Sequence, residues 1–209
     1  MSVNEGIQVG DLIYDLNEDT RTAVVVGCPD YVLNAPFTVS IPHTVAFDGL
    51  NYTVTGIGYE AFYNCDSLES ITIPDSVTSI GEYAFFCCES LKTITLPNSI
   101  TKIGGCAFQV CRGLESITLS DGVTMIGDHA FADCKKIESI TIPDSVTCIE
   151  EYAFWGCESL ESIDITNYVI DVGKGAFAEC DNLTEINVPD TDKAFPLWVR
   201  IMESKYDNP

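Results

Sequence analysis

The sequence predicts an α/β protein built as a right-handed solenoid, and three observations carry that prediction. Phe62, Phe85, Phe108, Phe131, Phe154 and Phe177 recur every 23 residues, and Cys65, Cys88, Cys111, Cys134, Cys157 and Cys180 follow three residues behind them. Three residues beyond each Cys stands Leu68, Leu91, Leu114, Ile137, Leu160 or Leu183, and each Phe follows an Ala. A unit of this size cannot bury its own apolar face, so successive copies must stack, with each Phe covering the next.

The elements follow in order along the chain. In residues 7–55 the stretches IQVGDLIYDL, TAVVVGC and YTVTGI alternate β-branched and aromatic residues with polar ones, broken by Asn17-Glu18-Asp19 and by Gly49 and Asn51. That pattern predicts a small antiparallel hairpin unit, an N-terminal β cap over residues 1–37, which would cover the apolar column and sheet edge that a solenoid leaves bare. Residues 38–42 imitate a repeat strand, and residues 57–62 resume the register after an insertion over 47–55. One imperfect unit therefore joins the cap to about six regular ones, an array over 38–190.

Within a regular unit, Leu68, Ile71 and Ile73 form an L-x-x-I-x-I strand that Pro74, Pro97, Pro143 and Pro189 close in their copies. Proline cannot donate to a sheet ladder and so suits a strand end. These strands should lie about 4.8 Å apart in one parallel sheet on the concave face. Ser70, Thr72, Thr93, Thr95, Ser116, Thr118, Ser139, Thr141, Ser162, Asp164, Glu185 and Asn187 alternate with the apolar positions and should point off its open side. A second short extended segment over 77–80 precedes Gly81. Residues 82–88 then carry two apolar pairs at helical spacing, which predicts a helical turn or a short helix. Over 191–206, Phe195, Leu197, Trp198, Ile201 and Met202 gather on one side of a helix that would close the far end, with a linker to a further domain as the alternative.

The L-x-x-I-x-I-P element joined to I-G-x-x-A-F-x-x-C resembles the BspA-type leucine-rich repeat family across roughly residues 38–190. Ser120 and Thr166 replace the proline, Glu150 replaces the glycine after Ile149, and Ile137 stands in the leucine column. The resemblance implies a leucine-rich-repeat solenoid and a cell-surface or secreted adhesin contacting host or matrix proteins.

Composition narrows the function independently. With 32 Asp and Glu against 10 Lys and Arg, the net charge of −22 excludes a phosphate backbone as partner and makes a basic protein the expected one. No apolar run is long enough to cross a bilayer, and the start lacks a basic-then-apolar signal pattern. The resemblance points outside the cell, whereas this start and the thiols also fit a reducing cytoplasm.

Chemical motifs are sparse. The six column cysteines read as small buried hydrophobes, and Cys28, Cys87, Cys106 and Cys148 lie outside that column with no pairing fixed by spacing. His43 and His129 are far apart and no C-x-x-C occurs, so neither zinc nor another metal is expected. Asp75, Asp121, Asp144 and Asp190, with Asn98 and Asn167, share a column that fits either a calcium ladder or ordinary turn chemistry; turn chemistry is the simpler account. Gly56-Ile57-Gly58-Tyr59-Glu60-Ala61 matches a dinucleotide fingerprint formally, yet the same positions recur as Ile80-Gly81 and Ile103-Gly104 in the repeat register, and no βαβ unit follows. Glu69, Glu115, Glu138 and Glu161 form a solvated acidic column rather than an acid/base pair, since nothing sets one apart from another.

No catalytic residue and no cofactor are therefore expected. The expected function is a monomeric, non-catalytic protein-binding module acting through the Ser/Thr columns, with a structural spacer as the alternative. Tyr83, Tyr152 and Trp155, on the turn-bearing side, are the aromatic candidates for a second patch.

Overall fold

The structure is a computed structural model that describes residues 3–29, 36–165, 171–188 and 194–206. At its N-terminal end, β1 (Val3–Val9), β2 (Leu12–Asn17) and β3 (Thr22–Gly27) form an antiparallel meander. The strands β4 (Phe37–Ser40), β5 (Thr44–Phe47) and β6 (Leu50–Ile57) follow, with β5 and β6 antiparallel. Each later coil supplies a longer strand and a two-residue one. These are β7 (Leu68–Thr72) and β8 (Ser79–Ile80), β9 (Thr93–Thr95) and β10 (Lys102–Ile103), then β11 (Ser116–Thr118) and β12 (Met125–Ile126). The pairs β13 (Ser139–Ile142) and β14 (Cys148–Ile149), and β15 (Ser162–Ile165) and β16 (Asp171–Val172), precede β17 (Glu185–Asn187) and the helix α1 (Ala194–Lys205).

The molecule is a parallel β-solenoid, and the six column phenylalanines are buried in one core that runs through it. Neighbouring Phe rings stack almost parallel, with centroids 5.0–5.3 Å apart from Phe62 to Phe177. The column cysteines do more than fill space. Cys88, Cys111, Cys134, Cys157 and Cys180 each donate a thiol hydrogen bond to the carbonyl of the Phe 26 residues earlier, at 3.1–3.2 Å.

The main departure from expectation lies in the sheets. The L-x-x-I-x-I strands divide into three groups, β4 with β7, β9 with β11, and β13 with β15 and β17, instead of one ladder. The continuous sheet belongs to the short segments: β1-β2-β3-β6-β8-β10-β12-β14-β16, with β5 alongside β6, make ten strands running from the cap to the last coil. Glycine explains why coils close up on this side. A Cβ on Gly81, Gly104 or Gly127 would meet main-chain atoms of the preceding coil at 2.6–2.8 Å, inside any real contact distance. A hydroxyl ladder reinforces the same sheet: Thr78, Thr101, Thr124 and Thr147 each donate to the carbonyl 23 residues earlier.

The segment between the short strand and the cysteine is two tandem turns rather than a helix. Glu60, Tyr83, Cys106, His129 and Tyr152 adopt left-handed φ of 54–56°, and Asn64, Cys87, Val110 and Asp133 do so four residues later. This geometry sends alternate N–H groups out of the coil: Tyr83, Phe85 and Cys87 donate to the carbonyls of Gly105, Ala107 and Gln109. A helix would have kept those donors within its own coil. Apolar spacing alone does not distinguish the two, because both place residues three apart on one side.

At the far end α1 lies where a closing helix was predicted. Ile201 is fully buried, Arg200 pairs with Asp171, and Lys205 donates to the carbonyls of Asp181 and Leu183. The side chains of Phe195, Leu197 and Trp198 lie outside the described residues, as do Thr166, Asn167, Pro189, Asp190, Thr191 and Asp192.

Candidate functional site

Alternation along the longer strands puts the predicted polar residues on one surface. Ser70, Thr72, Thr93, Thr95, Ser116, Thr118, Ser139, Thr141, Glu185 and Asn187 are exposed, and Ser162 and Asp164 are half-buried. Strand register aligns them in two columns: Thr93 faces Ser116 and Thr95 faces Thr118, while Ser139 and Thr141 face Ser162 and Asp164, which in turn face Glu185 and Asn187. Asn187 donates to the Asp164 carboxylate at 2.7 Å, fixing the acidic end of the surface. Where β7 and β9 belong to separate sheets, Ser70, Thr72, Asp75, Thr93 and Thr95 line an open groove of about 370 Å³ floored by Ile71 and Ile94. Chemically this face offers hydroxyl donors and acceptors in a fixed repeat, with no aromatic side chain among them.

The turn-bearing side has a different character. Tyr59 and Tyr83 meet edge to face at 6.0 Å, Tyr63 stacks on Phe86 at 5.0 Å, and Tyr83 and Phe86 join the two pairs at 5.8 Å. Of the aromatic candidates read from the sequence, only Tyr83 belongs to this group. Tyr152 is buried beside His129 at 5.0 Å, and Trp155 is half-buried in another coil. Tyr59, Tyr63 and Phe86 were missed; Tyr63 and Phe86 share one repeat position in successive copies, whereas Tyr59 and Tyr83 stand at different ones.

The remaining constellations resolve locally. Cys28 lies 3.8 Å, sulfur to sulfur, from Cys65, so it meets the cysteine column where the first regular coil has no preceding one. The hydrogen bond shared with Cys28, with burial, holds the Cys65 thiol well above its ordinary pKa; burial does the same for Cys88, Cys111 and Cys134. Thiols so suppressed are poor nucleophiles and poor metal ligands. Among the described residues no three His, Cys, Asp or Glu side chains converge as a metal site would require. Gly58 packs beside the Val25 carbonyl as the first member of the turn glycine column. Glu150 keeps its place in that column by accepting the Asp128 N–H at 3.0 Å. Glu115 is exposed, 3.9 Å from Lys136. No helix among the described residues is long and apolar enough to cross a membrane.

A stack of short parallel strands with one Phe, one Cys and one Leu or Ile per turn defines a leucine-rich-repeat protein. The profile of the BspA type leucine rich repeat region matches in six copies over residues 48–157 and 101–196, and the chain belongs to that family. Among solved structures it is similar to a leucine-rich repeat protein of Bacteroides ovatus, at 35% identity and a TM-score of 0.80 over 86% of this chain and 46% of the other. A T. pallidum leucine rich repeat protein matches at 28% identity and 0.73, covering 88% of this chain and 82% of the other. A leucine rich cell surface protein of Faecalibacterium prausnitzii matches at 32% identity and 0.63, covering 90% and 56%. The chain thus spans about half the length of the Bacteroides protein. No curated protein matches it.

Proposed function

We propose that the chain is a non-catalytic protein-binding module of a bacterial cell-surface or secreted protein, and that it binds as a monomer through the open strand face. The carrying observation is the pair of aligned Ser/Thr columns, exposed over successive coils and ending in Asp164 and Glu185. Solenoids present extended faces of this kind to protein partners. The net charge of −22 favours a basic host or matrix protein, held less tightly as salt rises. A cell-surface setting is supported by the description of the Faecalibacterium protein.

The test is capture of extracellular-matrix and host surface proteins on the immobilised chain, beside a variant with Ser116, Thr118, Ser139 and Thr141 changed to Glu. Capture by the native chain that this variant abolishes is the expected result; equal capture by both removes the strand face from the function. The absence of aromatics on that face favours, as a second reading, a rigid spacer that holds other domains away from a surface. No capture by either chain is what a spacer would give.

A further inference from the structure

The aromatic surface on the turn-bearing side is confined to two coils. Of the four exposed large apolar side chains among the described residues, Tyr59 at 61% and Tyr63 at 40% both lie here. Their repeat equivalents two coils on are Gly105 and Gln109, so the surface ends abruptly after Tyr83 and Phe86. Rings in edge-to-face and stacked contact hold one another in place, which lowers the entropy lost when a partner docks.

Glu60 and Glu82 belong to the same turns, and Asp66 and Glu89 act on Cys87, the residue after Phe86. Glu60 and Glu82 lie close enough to Tyr59 to raise its pKa, the hydrogen bond that the Tyr59 hydroxyl donates to Glu60 being the larger cause. Glu60, Glu82 and Asp66 take part in no ion pair among the described residues, whereas Glu89 already holds the Arg112 guanidinium at 2.6 Å. Beside Phe86, then, a guanidinium is already held by Glu89, while Glu60, Glu82 and Asp66 hold no cation among the described residues. Aromatic faces and carboxylates together match arginine, which stacks on the first and pairs with the second.

We infer that Tyr59, Tyr63, Tyr83 and Phe86, with Glu60, Glu82 and Asp66, form a second docking surface that takes an arginine-rich segment of a partner protein. It is separate from the strand face and does not depend on that face binding anything. Guanidinium groups seat over the exposed rings, and the carboxylates supply the charge-assisted hydrogen bonds.

The test is titration of a labelled oligoarginine peptide into the full chain at near-physiological salt, read by fluorescence anisotropy. A chain of this acidity attracts cations over its whole surface, so the comparison must be made at constant charge. The variant Y59A/Y63A leaves the charge unchanged and, if the rings seat guanidinium groups, weakens binding about tenfold. The variant E60Q/E82Q weakens it as well, while E115Q/E138Q removes the same charge from the strand side and leaves it nearly unchanged. Thermal unfolding confirms that each variant is folded, as expected for substitutions at exposed positions. Equal affinity of Y59A/Y63A and the native chain overturns the inference, as does failure of the native chain to bind the peptide. Ring-dependent binding that is indifferent to salt also overturns it, since that behaviour belongs to a neutral ligand such as a carbohydrate. Because these variants leave Ser116, Thr118, Ser139 and Thr141 intact, either surface can fail its test alone.

Discussion

The two strand-bearing sides of the coil reverse the expectation that longer strands make the better sheet. The L-x-x-I-x-I strands reach five residues in β7, yet their ladders break into three groups; the segments from β8 to β16 are two residues each and pair without interruption. Coil spacing explains the difference. On the short-strand side the glycine column lets main chain approach main chain, and threonine hydroxyls bond across every step from Thr55 to Thr147. The longer strands have bulky Ile and Leu below, and their side-chain links are isolated ones, from Ser120 to the Pro97 carbonyl and from Asn187 to Asp164. Register in this array is therefore held from the V-T-x-I-G side, which leaves the open strand face free to vary in its pairing.

Several perturbations can break or sharpen this contrast. Phe131→Ala removes a ring stacked between Phe108 and Phe154, affects both sides, and should cost about 3–5 kcal/mol by chemical denaturation. Gly104→Ala drives a Cβ to within 2.6 Å of the Gly81 carbonyl carbon and should cost about 1–3 kcal/mol; amide exchange should show the loss in β8, β10 and β12 more than in β9 and β11. Thr124→Val deletes one rung of the hydroxyl ladder while keeping shape, for about 1 kcal/mol in the same assay. Arg112→Ala breaks only an exposed ion pair, and its effect on the melting temperature should correspond to no more than about 0.5 kcal/mol.

A pH titration probes the core that both sides share. Burial raises the pKa of the Cys88, Cys111 and Cys134 thiols in the folded state. Above the ordinary thiol pKa of about 8.5 the unfolded chain releases these protons while the folded chain retains them, so stability is full below that pH and falls as pH rises further. The melting temperature should decline between about pH 8.5 and 10, and less so when Cys111 and Cys134 are replaced by Ala. A flat profile would mean that those thiols ionise in place.

Most of the solenoid could be read from the spacing of Phe62, Cys65 and Leu68 alone, because a fixed period in buried residues leaves only stacking as a solution. The polar columns were legible for the same reason, since alternation about Ile71 and Ile73 assigns Ser70 and Thr72 to the outside. What the period hides is whatever depends on the distance between coils. Nothing in Ser79-Ile80 announces a sheet, since two residues are too few for a pattern. The thiol-to-carbonyl bonds of the cysteine column look from the sequence like simple burial. Cys28 meets Cys65 through the fold of the cap, at a spacing foreign to the repeat. Tyr63 and Phe86 share a repeat position in only two coils before Gln109 and Ala132 take it, too short a run to stand out beside the six-fold columns, and a surface for recognition depends on such local differences.

The outward-pointing amides of the turns give the whole array a direction. Successive turns donate toward the following coil, from Glu60 to Glu82, Tyr83 to Gly105 and His129 to Glu151. The short strands and the thiols donate the opposite way, from Gly81 to Ile57 and from Cys88 to Phe62. The molecule thus has a head and a tail as a filament does, and its two ends require opposite chemistry from whatever closes them. The meander answers at the head, where Gly58 donates to the Val25 carbonyl as though β3 were an earlier coil. A coil grafted after the last would find donors at Gly175, Phe177 and Glu179 in the spacing its own carbonyls need, whereas the same coil reversed would meet donor with donor.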